Sequence, residues 1–193
     1  MPEENKTKIR SFIALDLSDE AREELARIIK ELKRSDANVK WVRPESIHLT
    51  LKFLGYIREE QIDPISKRIE KIAEGISPFD INLERIGVFP GWTRPRVVWV
   101  GTGGYTDKVK ALSKRIEDEM EEEGFEKEKR DFKAHLTVGR VRSLKNKEHL
   151  EKEAHSVEVK PAKSHISKII LFQSKLTPEG AIYTPLASHD LTG

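Results

Sequence analysis

Residues 47–54 read Ile-His-Leu-Thr-Leu-Lys-Phe-Leu, and residues 133–140 read Lys-Ala-His-Leu-Thr-Val-Gly-Arg, so that both segments contain the tripeptide His-Leu-Thr. Because side chains alternate between the two faces of an extended strand, each copy presents an imidazole and a hydroxyl on one face and apolar residues on the other. Two such strands facing each other would enclose a small anionic group between paired acid–base side chains. The two segments therefore predict a cleft lined by four polar residues, which are His48, Thr50, His135 and Thr137.

Three basic residues flank the two motifs and are candidate substrate contacts. Strict alternation places Lys52 and Lys133 on the same faces as the motif histidines. Arg140 falls on the opposite face, unless a bulge at the preceding Gly139 redirects it. Each of the three is either a source of positive charge for an anionic substrate or an ordinary solvated residue, and the sequence leaves both interpretations open.

The same order of elements surrounds each motif. A strand at residues 9–15 precedes a helix that Ser18 can cap, and a strand at residues 97–100 and a turn at 101–104 precede a helix that Thr106 can cap. In both halves the motif strand follows, and then a second helix and a further strand. This order predicts an internal duplication over roughly residues 9–90 and 95–175.

The remaining strands follow from short apolar runs and turn residues. A hairpin is predicted over residues 166–187, with its turn at 177–180. The other expected strands cover residues 39–42, 47–54, 79–88, 133–141 and 157–160.

Composition narrows the class of protein. The chain of 193 residues contains no cysteine, which excludes a disulfide framework. Charged residues make up 35% of it, a balance typical of proteins from hot environments. Because the formal net charge is only +2, an anionic ligand would have to be held by a local basic patch. The polar residues 1–8 and the lack of a long apolar run predict a soluble, cytoplasmic protein that does not bind membranes.

The chain resembles the two-histidine phosphoesterases, and most closely the RNA 2′,3′-cyclic phosphodiesterases once called 2′-5′ RNA ligases. The similar segments are 10–14 (Arg-Ser-Phe-Ile-Ala), 42–55, 95–101, 132–140 and 174–183. The resemblance implies an α+β fold in one domain, with two pseudo-symmetric lobes of antiparallel sheet forming a concave cleft and helices outside. It also implies hydrolysis of a terminal RNA 2′,3′-cyclic phosphate to a 2′-phosphate without metal or cofactor, and in some members the reverse 2′-5′ ligation.

The resemblance further suggests separate roles for the two histidines, which the nearly identical motifs leave open by themselves. His48 is expected to donate a proton to the departing 3′-oxygen, and His135 to accept one from water. Thr50 and Thr137 are expected to bind the phosphate oxygens. The expected partners are RNA ends or nucleotides with a 2′,3′-cyclic phosphate, bound by a monomer.

Two other classes of function are weighed against this one. A non-catalytic RNA-binding module would need no acid–base pair, so the intact motifs argue against it. A metal site at His48 and His135 would lack a third ligand at suitable spacing. Three aromatic residues are candidates to stack on an RNA base, although packing is the commoner role, namely Trp41, Phe89 and Trp92. The other histidines are expected at the surface, at positions 149, 155, 165 and 189.

Overall fold

The computed structural model describes residues 8–178 and 180–193, so residues 1–7 and Glu179 of the predicted turn lie outside it. Its nine described strands are β1 (Ile9–Leu15), β2 (Val39–Trp41), β3 (Leu49–Ile57), β4 (Phe79–Phe89), β5 (Val97–Gly104), β6 (His135–Val141), β7 (Lys163–Ile166), β8 (Lys168–Leu176) and β9 (Ala181–Asp190). Its four described α-helices are α1 (Asp19–Leu32), α2 (Ile62–Ala73), α3 (Thr106–Glu122) and α4 (Lys147–Ser156). None of the described helices is long and apolar enough to cross a membrane.

The strands form two antiparallel sheets. The first sheet has the order β3-β1-β8-β9, and the second has the order β2-β6-β5-β4-β7. Every strand pair in both sheets is antiparallel. The predicted α+β class with two antiparallel sheets is confirmed.

Each sheet contains strands from both halves of the chain. Strand β4 belongs to the first half of the chain but pairs with β5 in the second sheet. Strand β8 belongs to the second half but pairs with β1 in the first sheet. As a result β3-β1-β8-β9 and β6-β5-β4-β7 match position by position, with the motif strands β3 and β6 in equivalent places. The internal duplication itself stays a prediction.

The core lies between the sheets and the apolar stripes of the helices, at the spacing that the sequence predicts. The fully buried helix residues include Leu25, Ile28, Leu32, Ile65, Ile69, Ile72, Val109, Leu112 and Ile116. The hydroxyl of Ser18 accepts a hydrogen bond from the backbone N–H of Ala21, as expected of an N-cap. With the helices on these faces, the opposite faces of the sheets are left to form a cleft.

Two expectations about the second half of the chain are wrong. The predicted turn at residues 101–104 is the end of β5, because the glycines there leave room for neighbouring side chains to lie across the sheet. The N-cap of helix α3 is Tyr105, whose side chain makes no capping hydrogen bond, so the predicted cap Thr106 lies inside the helix and its hydroxyl donates to the carbonyl of Gly104.

The strand predicted at residues 157–160 is also absent. Side chains of helix α1 hold this segment: Glu24 accepts from the backbone N–H of Lys160 at 2.8 Å, and Arg27 donates to the carbonyl of Glu158 at 2.5 Å. Because these side chains satisfy the backbone, the chain enters the sheet only at β7.

Candidate active site

Both motif histidines are held by the same kind of hydrogen bond. Nδ1–H of His48 donates to the carbonyl of Ser46 at 3.0 Å, and Nδ1–H of His135 donates to the carbonyl of Lys133 at 2.6 Å. A carbonyl oxygen only accepts, so the proton of the neutral ring resides on Nδ1. In each histidine, Nε2 is therefore the nitrogen that can take up or release a proton in the cleft.

A β-bulge follows the threonine in both motif strands. The extra residue is Leu51 in β3 and Val138 in β6. A bulge reverses the alternation of side chains beyond it. The second residue after each threonine therefore points to the helix side of its sheet, and the third points to the face of the histidines.

The prediction that Lys52 lies on the face of His48 is wrong, because the bulge turns it to the helix side. Its side chain is only 4% exposed. Its Nζ donates to Oε2 of Glu117 on α3 at 2.5 Å and to the carbonyl of Glu126 at 2.9 Å. This buried ion pair gives Lys52 a structural role in place of the predicted substrate contact.

Gly139 occupies the equivalent position in β6. A Cβ atom there would lie 2.6 Å from Cγ1 of Val39 and 2.9 Å from Cε3 of Trp41. The glycine is needed because Trp41 packs over it on the helix side of the second sheet. The indole of Trp41 thus packs on the helix side of the sheet. From there it does not reach a base bound in the cleft, so of its two predicted roles the structure assigns packing.

Arg140 lies on the face of the histidines, as the bulge exception allows. Its side chain is exposed, and its charge adds to the burial that lowers the pKa of both His48 and His135. Burial raises the pKa of Tyr183 on β9, and the charge of Arg140 opposes that rise. One guanidinium therefore acts on both motifs, which the fold brings to a common cleft. Strands β3 and β6 are also in contact.

His48 lies among aromatic rings, which together we call the aromatic cage: Phe12, Phe172 and Tyr183. The ring of Phe12 stacks on the imidazole at 4.5 Å, and Tyr183 contacts it edge-on at 4.9 Å. Burial lowers the pKa of His48 to about 4, and the positive charges of Arg22 and Arg140 act in the same direction. His48 is therefore neutral near pH 7 when the cleft is empty.

Arg22 of helix α1 fixes the turn that leads into the first motif. Its Nη1 donates to the carbonyl of Pro44 at 2.9 Å and to the carbonyl of Ile47 at 3.0 Å, while its Nη2 pairs with Asp16. Ser46, whose carbonyl orients His48, lies between these two contacts. Arg22 thus acts as a positioning residue for His48.

His135 has different surroundings. The ring of Phe89 contacts it edge-on at 5.1 Å, and Nζ of the exposed Lys133 lies 5.8 Å from the centre of that ring. Burial lowers the pKa of His135, and Arg140 adds to the effect. The threonines that accompany the two histidines, Thr50 and Thr137, are both half-buried.

Several aromatic and histidine residues lie away from this cleft. Trp92 contacts His155 at 5.6 Å and packs against the hydrophobic core, which assigns it to packing. Nδ1 of His165 contacts Asp80 at 2.9 Å, and Nε2 of His189 contacts Ser66 at 2.9 Å. Among the described residues no group of three or more His, Cys, Asp or Glu side chains is placed to hold a metal ion.

Sequence reasoning gave no role to the aromatic cage, to Arg22 or to Trp99. Trp99 is paired with Thr137 across β5 and β6, and its ring lies 5.1 Å from that of Phe89. Trp99 reaches the motif only through the pairing of β5 with β6, and the cage and Arg22 likewise come from other segments of the chain.

Comparison with known proteins matches the chain to one family of phosphoesterases. The profile of the LigT like phosphoesterases matches the chain twice, over residues 15–99 and 100–183. RNA 2′,3′-cyclic phosphodiesterases of Methanothermobacter thermautotrophicus and Archaeoglobus fulgidus are each 38% identical to it, over 93% and 92% of this chain and 97% and 98% of their own. A crystal structure of a Thermus thermophilus protein superposes with a TM-score of 0.79 at 26% identity, covering 96% of this chain and 99% of that one.

Proposed function

The chain belongs to the LigT like phosphoesterase family and hydrolyses RNA 2′,3′-cyclic phosphates, and we propose that its two motif histidines act as acid and base without a metal ion. The observation that carries the proposal is the matched Nδ1 tether, which leaves Nε2 of both His48 and His135 free to transfer protons. Two oppositely protonated imidazoles supply both proton transfers that the reaction needs.

Opening the ring requires water to attack phosphorus in line with the bond that breaks. Nε2 of His135 takes a proton from the attacking water as the new P–O bond forms. The P–O3′ bond breaks, Nε2 of His48 gives its proton to the 3′-oxygen, and the product carries a 2′-phosphate. The hydroxyls of Thr50 and Thr137 donate to the phosphate oxygens, where a fixed donor is worth about 10²–10³-fold in turnover.

Two cations complete the proposed site. Arg140 faces both histidines, so its guanidinium offsets the charge of the phosphate. Lys133 lies next to Phe89, where it can meet a more distant phosphate of the RNA. A phosphate between the rings also raises the pKa of His48 again, which lets the proton enter with the substrate.

The decisive experiment uses adenosine 2′,3′-cyclic phosphate and an excess of chelator. We expect turnover to be unchanged by the chelator and the product to be 2′-AMP, resolved from 3′-AMP by chromatography. Loss of turnover that a divalent ion restores would contradict metal independence. Binding of the substrate without any turnover would favour the non-catalytic RNA-binding module.

We also propose that the protein works as a monomer in the cytoplasm and that it can join RNA ends through the reverse reaction. One chain carries both motifs, so no second copy is needed to complete the site. Specific activity should then be independent of protein concentration, and sedimentation equilibrium should give the mass of one chain, 22.2 kDa. Ligation predicts a 2′-5′ diester when an RNA with a free 5′-hydroxyl is added at high concentration.

A further inference from the structure

The indole of Trp99 lies flat across the face of the second sheet that carries His135. A Cβ atom on Gly87 of β4 would lie 2.3 Å from Cζ2 of the indole, and one on Gly101 would lie 3.2 Å from its Cζ3. A side chain at position 87 is therefore incompatible with the ring in this position. The indole rests directly on the backbone of β4 and β5.

This ring is next to the second motif. Trp99 and Thr137 are directly paired, so their side chains share a face. The ring of Phe89 lies 5.1 Å from both the indole and the imidazole of His135. The guanidinium carbon of the exposed Arg85 lies 5.8 Å from the centre of the indole. We call Trp99, Gly87 and Arg85 the indole platform.

The described strands of the first sheet carry no counterpart of the platform. The residue paired with the motif threonine is Trp99 in the second sheet and Ala14 in the first. The next residue across the sheet is Gly87 beside Trp99, and Ile170 beside Ala14. The second sheet therefore has a large ring over a glycine where the first sheet has a small alanine beside a branched isoleucine. The second half of the site has gained a flat aromatic surface that the shared motif chemistry does not require.

The position of the platform relative to the reaction suggests its ligand. In an in-line displacement the leaving 3′-oxygen and the attacking oxygen lie on opposite sides of phosphorus. In the proposed mechanism the 3′-oxygen is next to His48, so the attacking oxygen and whatever is bonded to it lie next to His135. Water needs no aromatic surface there, whereas a nucleoside base stacks on an indole with about 1–3 kcal/mol of binding energy.

We propose that the indole platform binds a second nucleoside, the one whose 5′-oxygen is bonded to phosphorus in a 2′-5′ diester. This inference rests on the proposed function, because it uses the assigned sides of His48 and His135. In ligation the 5′-hydroxyl replaces water as the nucleophile: the P–O5′ bond forms, the P–O3′ bond breaks, His135 takes the hydroxyl proton and His48 protonates the 3′-oxygen. The guanidinium of the exposed Arg85 lies over the indole, so this side chain moves aside when the base of the second nucleoside stacks on Trp99.

The test compares two diesters that differ only in the second nucleoside. One is 3′-deoxyadenosine 2′-(methyl phosphate), and the other is 3′-deoxyadenosine joined 2′-5′ to adenosine. Neither can be cleaved to a cyclic phosphate, since both lack the 3′-hydroxyl. Calorimetry of the whole chain should show that the dinucleotide binds roughly 5- to 150-fold more tightly than the methyl ester.

Variants of the platform should remove this difference and nothing else. In Trp99→Ala, and in Gly87→Ala, whose methyl group displaces the ring, the two diesters should bind equally, with the methyl ester as in the wild type. Trp99→Phe should keep most of the preference, and Trp92→Ala, which alters a tryptophan that packs against His155, should keep all of it. An unchanged affinity for the methyl ester also shows that a variant is folded.

Three results would overturn the proposal. They are equal binding of the two diesters by the wild type, a preference that survives both platform variants, or an equal loss for both diesters, which would assign Trp99 to the first nucleoside. Failure of the proposed function would look different. It would appear as no turnover of adenosine 2′,3′-cyclic phosphate, whatever the ratio of the two affinities.

Discussion

The surroundings of His48 and of His135 differ far more than the two motifs themselves. Both rings are tethered through Nδ1 to the carbonyl two residues earlier, and both strands bulge after the threonine. Yet His48 is stacked on Phe12 and held through Arg22, whereas His135 contacts Phe89 and opens toward basic side chains. The repeated motif sets the reactive atoms, and the unequal surroundings are what can give two equal histidines different roles.

Equivalent positions on the two sheets show how this difference is built. The third residue after the motif threonine is Phe53 in β3 and Arg140 in β6, and the bulge brings both to the face of the histidines. Phe53 is 63% exposed and its ring lies 6.1 Å from that of Phe12, so it extends the aromatic surface beside His48. At this position the His48 side of the cleft therefore carries an aromatic ring, and the His135 side carries a positive charge.

The largest effect expected from a conservative change is at the threonines, where the two halves should behave alike. Thr50→Val and Thr137→Val keep the strand and remove one hydroxyl each, so turnover of a 2′,3′-cyclic nucleotide should fall about 10²–10³-fold in either variant. Steady-state kinetics of both variants measure this. Serine at the same positions should restore much of the activity, and near wild-type turnover in either valine variant would show that its hydroxyl does not bind the phosphate.

The pH dependence of stability should separate the two histidines. Burial holds the pKa of His48 at about 4, below its value of about 6.5 in the unfolded chain, so the unfolded state binds more protons at acid pH. The contribution of His48 to stability is therefore complete above pH 6.5 and is lost as the pH falls toward 4, by about 3 kcal/mol.

The variant His48→Asn, whose amide can still donate to the carbonyl of Ser46, should remove most of this loss. Chemical denaturation at pH 7.5 and pH 4.5 gives the free energies of unfolding to compare. His135→Asn is the matched control and should remove less, because His135 is less enclosed by aromatic rings. If both variants reduced the difference in the free energy of unfolding between the two pH values equally, the aromatic cage would not distinguish the histidines.

A smaller effect is expected at Arg22, which acts on one half of the site alone. Arg22→Met removes the hydrogen bonds to the carbonyls of Pro44 and Ile47 and one of the positive charges that lower the pKa of His48. We expect turnover to fall about tenfold, because His48 would be held less well in position. A catalytic group that is displaced by a full ångström lowers turnover further.

The readout that identifies Arg22 as a positioning residue is the titration of the imidazoles by NMR. In Arg22→Met the pKa of His48 should rise while that of His135 stays the same. A shift of both, or a fall in turnover with neither pKa changed, would point to general destabilisation instead.

The sequence was enough to identify the motif residues, but it did not predict which face of the sheet their neighbours point to. Within each motif the histidine and the threonine precede the bulge, so the alternation of an extended strand applies to His48 and Thr50 and to His135 and Thr137. Lys52 lies just beyond a bulge, and a single inserted residue reverses its side chain from the cleft to Glu117. Nothing in the local pattern marks the position of that bulge, which is set by pairing with β1.

The aromatic cage could not be predicted from the local sequence pattern, for a different reason. Phe12, Phe172 and Tyr183 come from three strands that are adjacent only because β8 of the second half pairs with β1 of the first. A sequence pattern predicts which face of a strand is apolar, whereas the partner of that strand depends on the whole topology. The same exchange of strands carries Phe89 on β4 to His135.

The division of roles between the two histidines is tested most directly by a substrate in which sulfur replaces the 3′-oxygen of the cyclic phosphate. A thiolate leaves with little protonation, so the substrate no longer needs a proton donor on that side. We expect this substrate largely to restore turnover to His48→Ala and to leave His135→Ala inactive. Restoration of His135→Ala instead, with His48→Ala inactive, would contradict the assignment and exchange the roles of the two histidines.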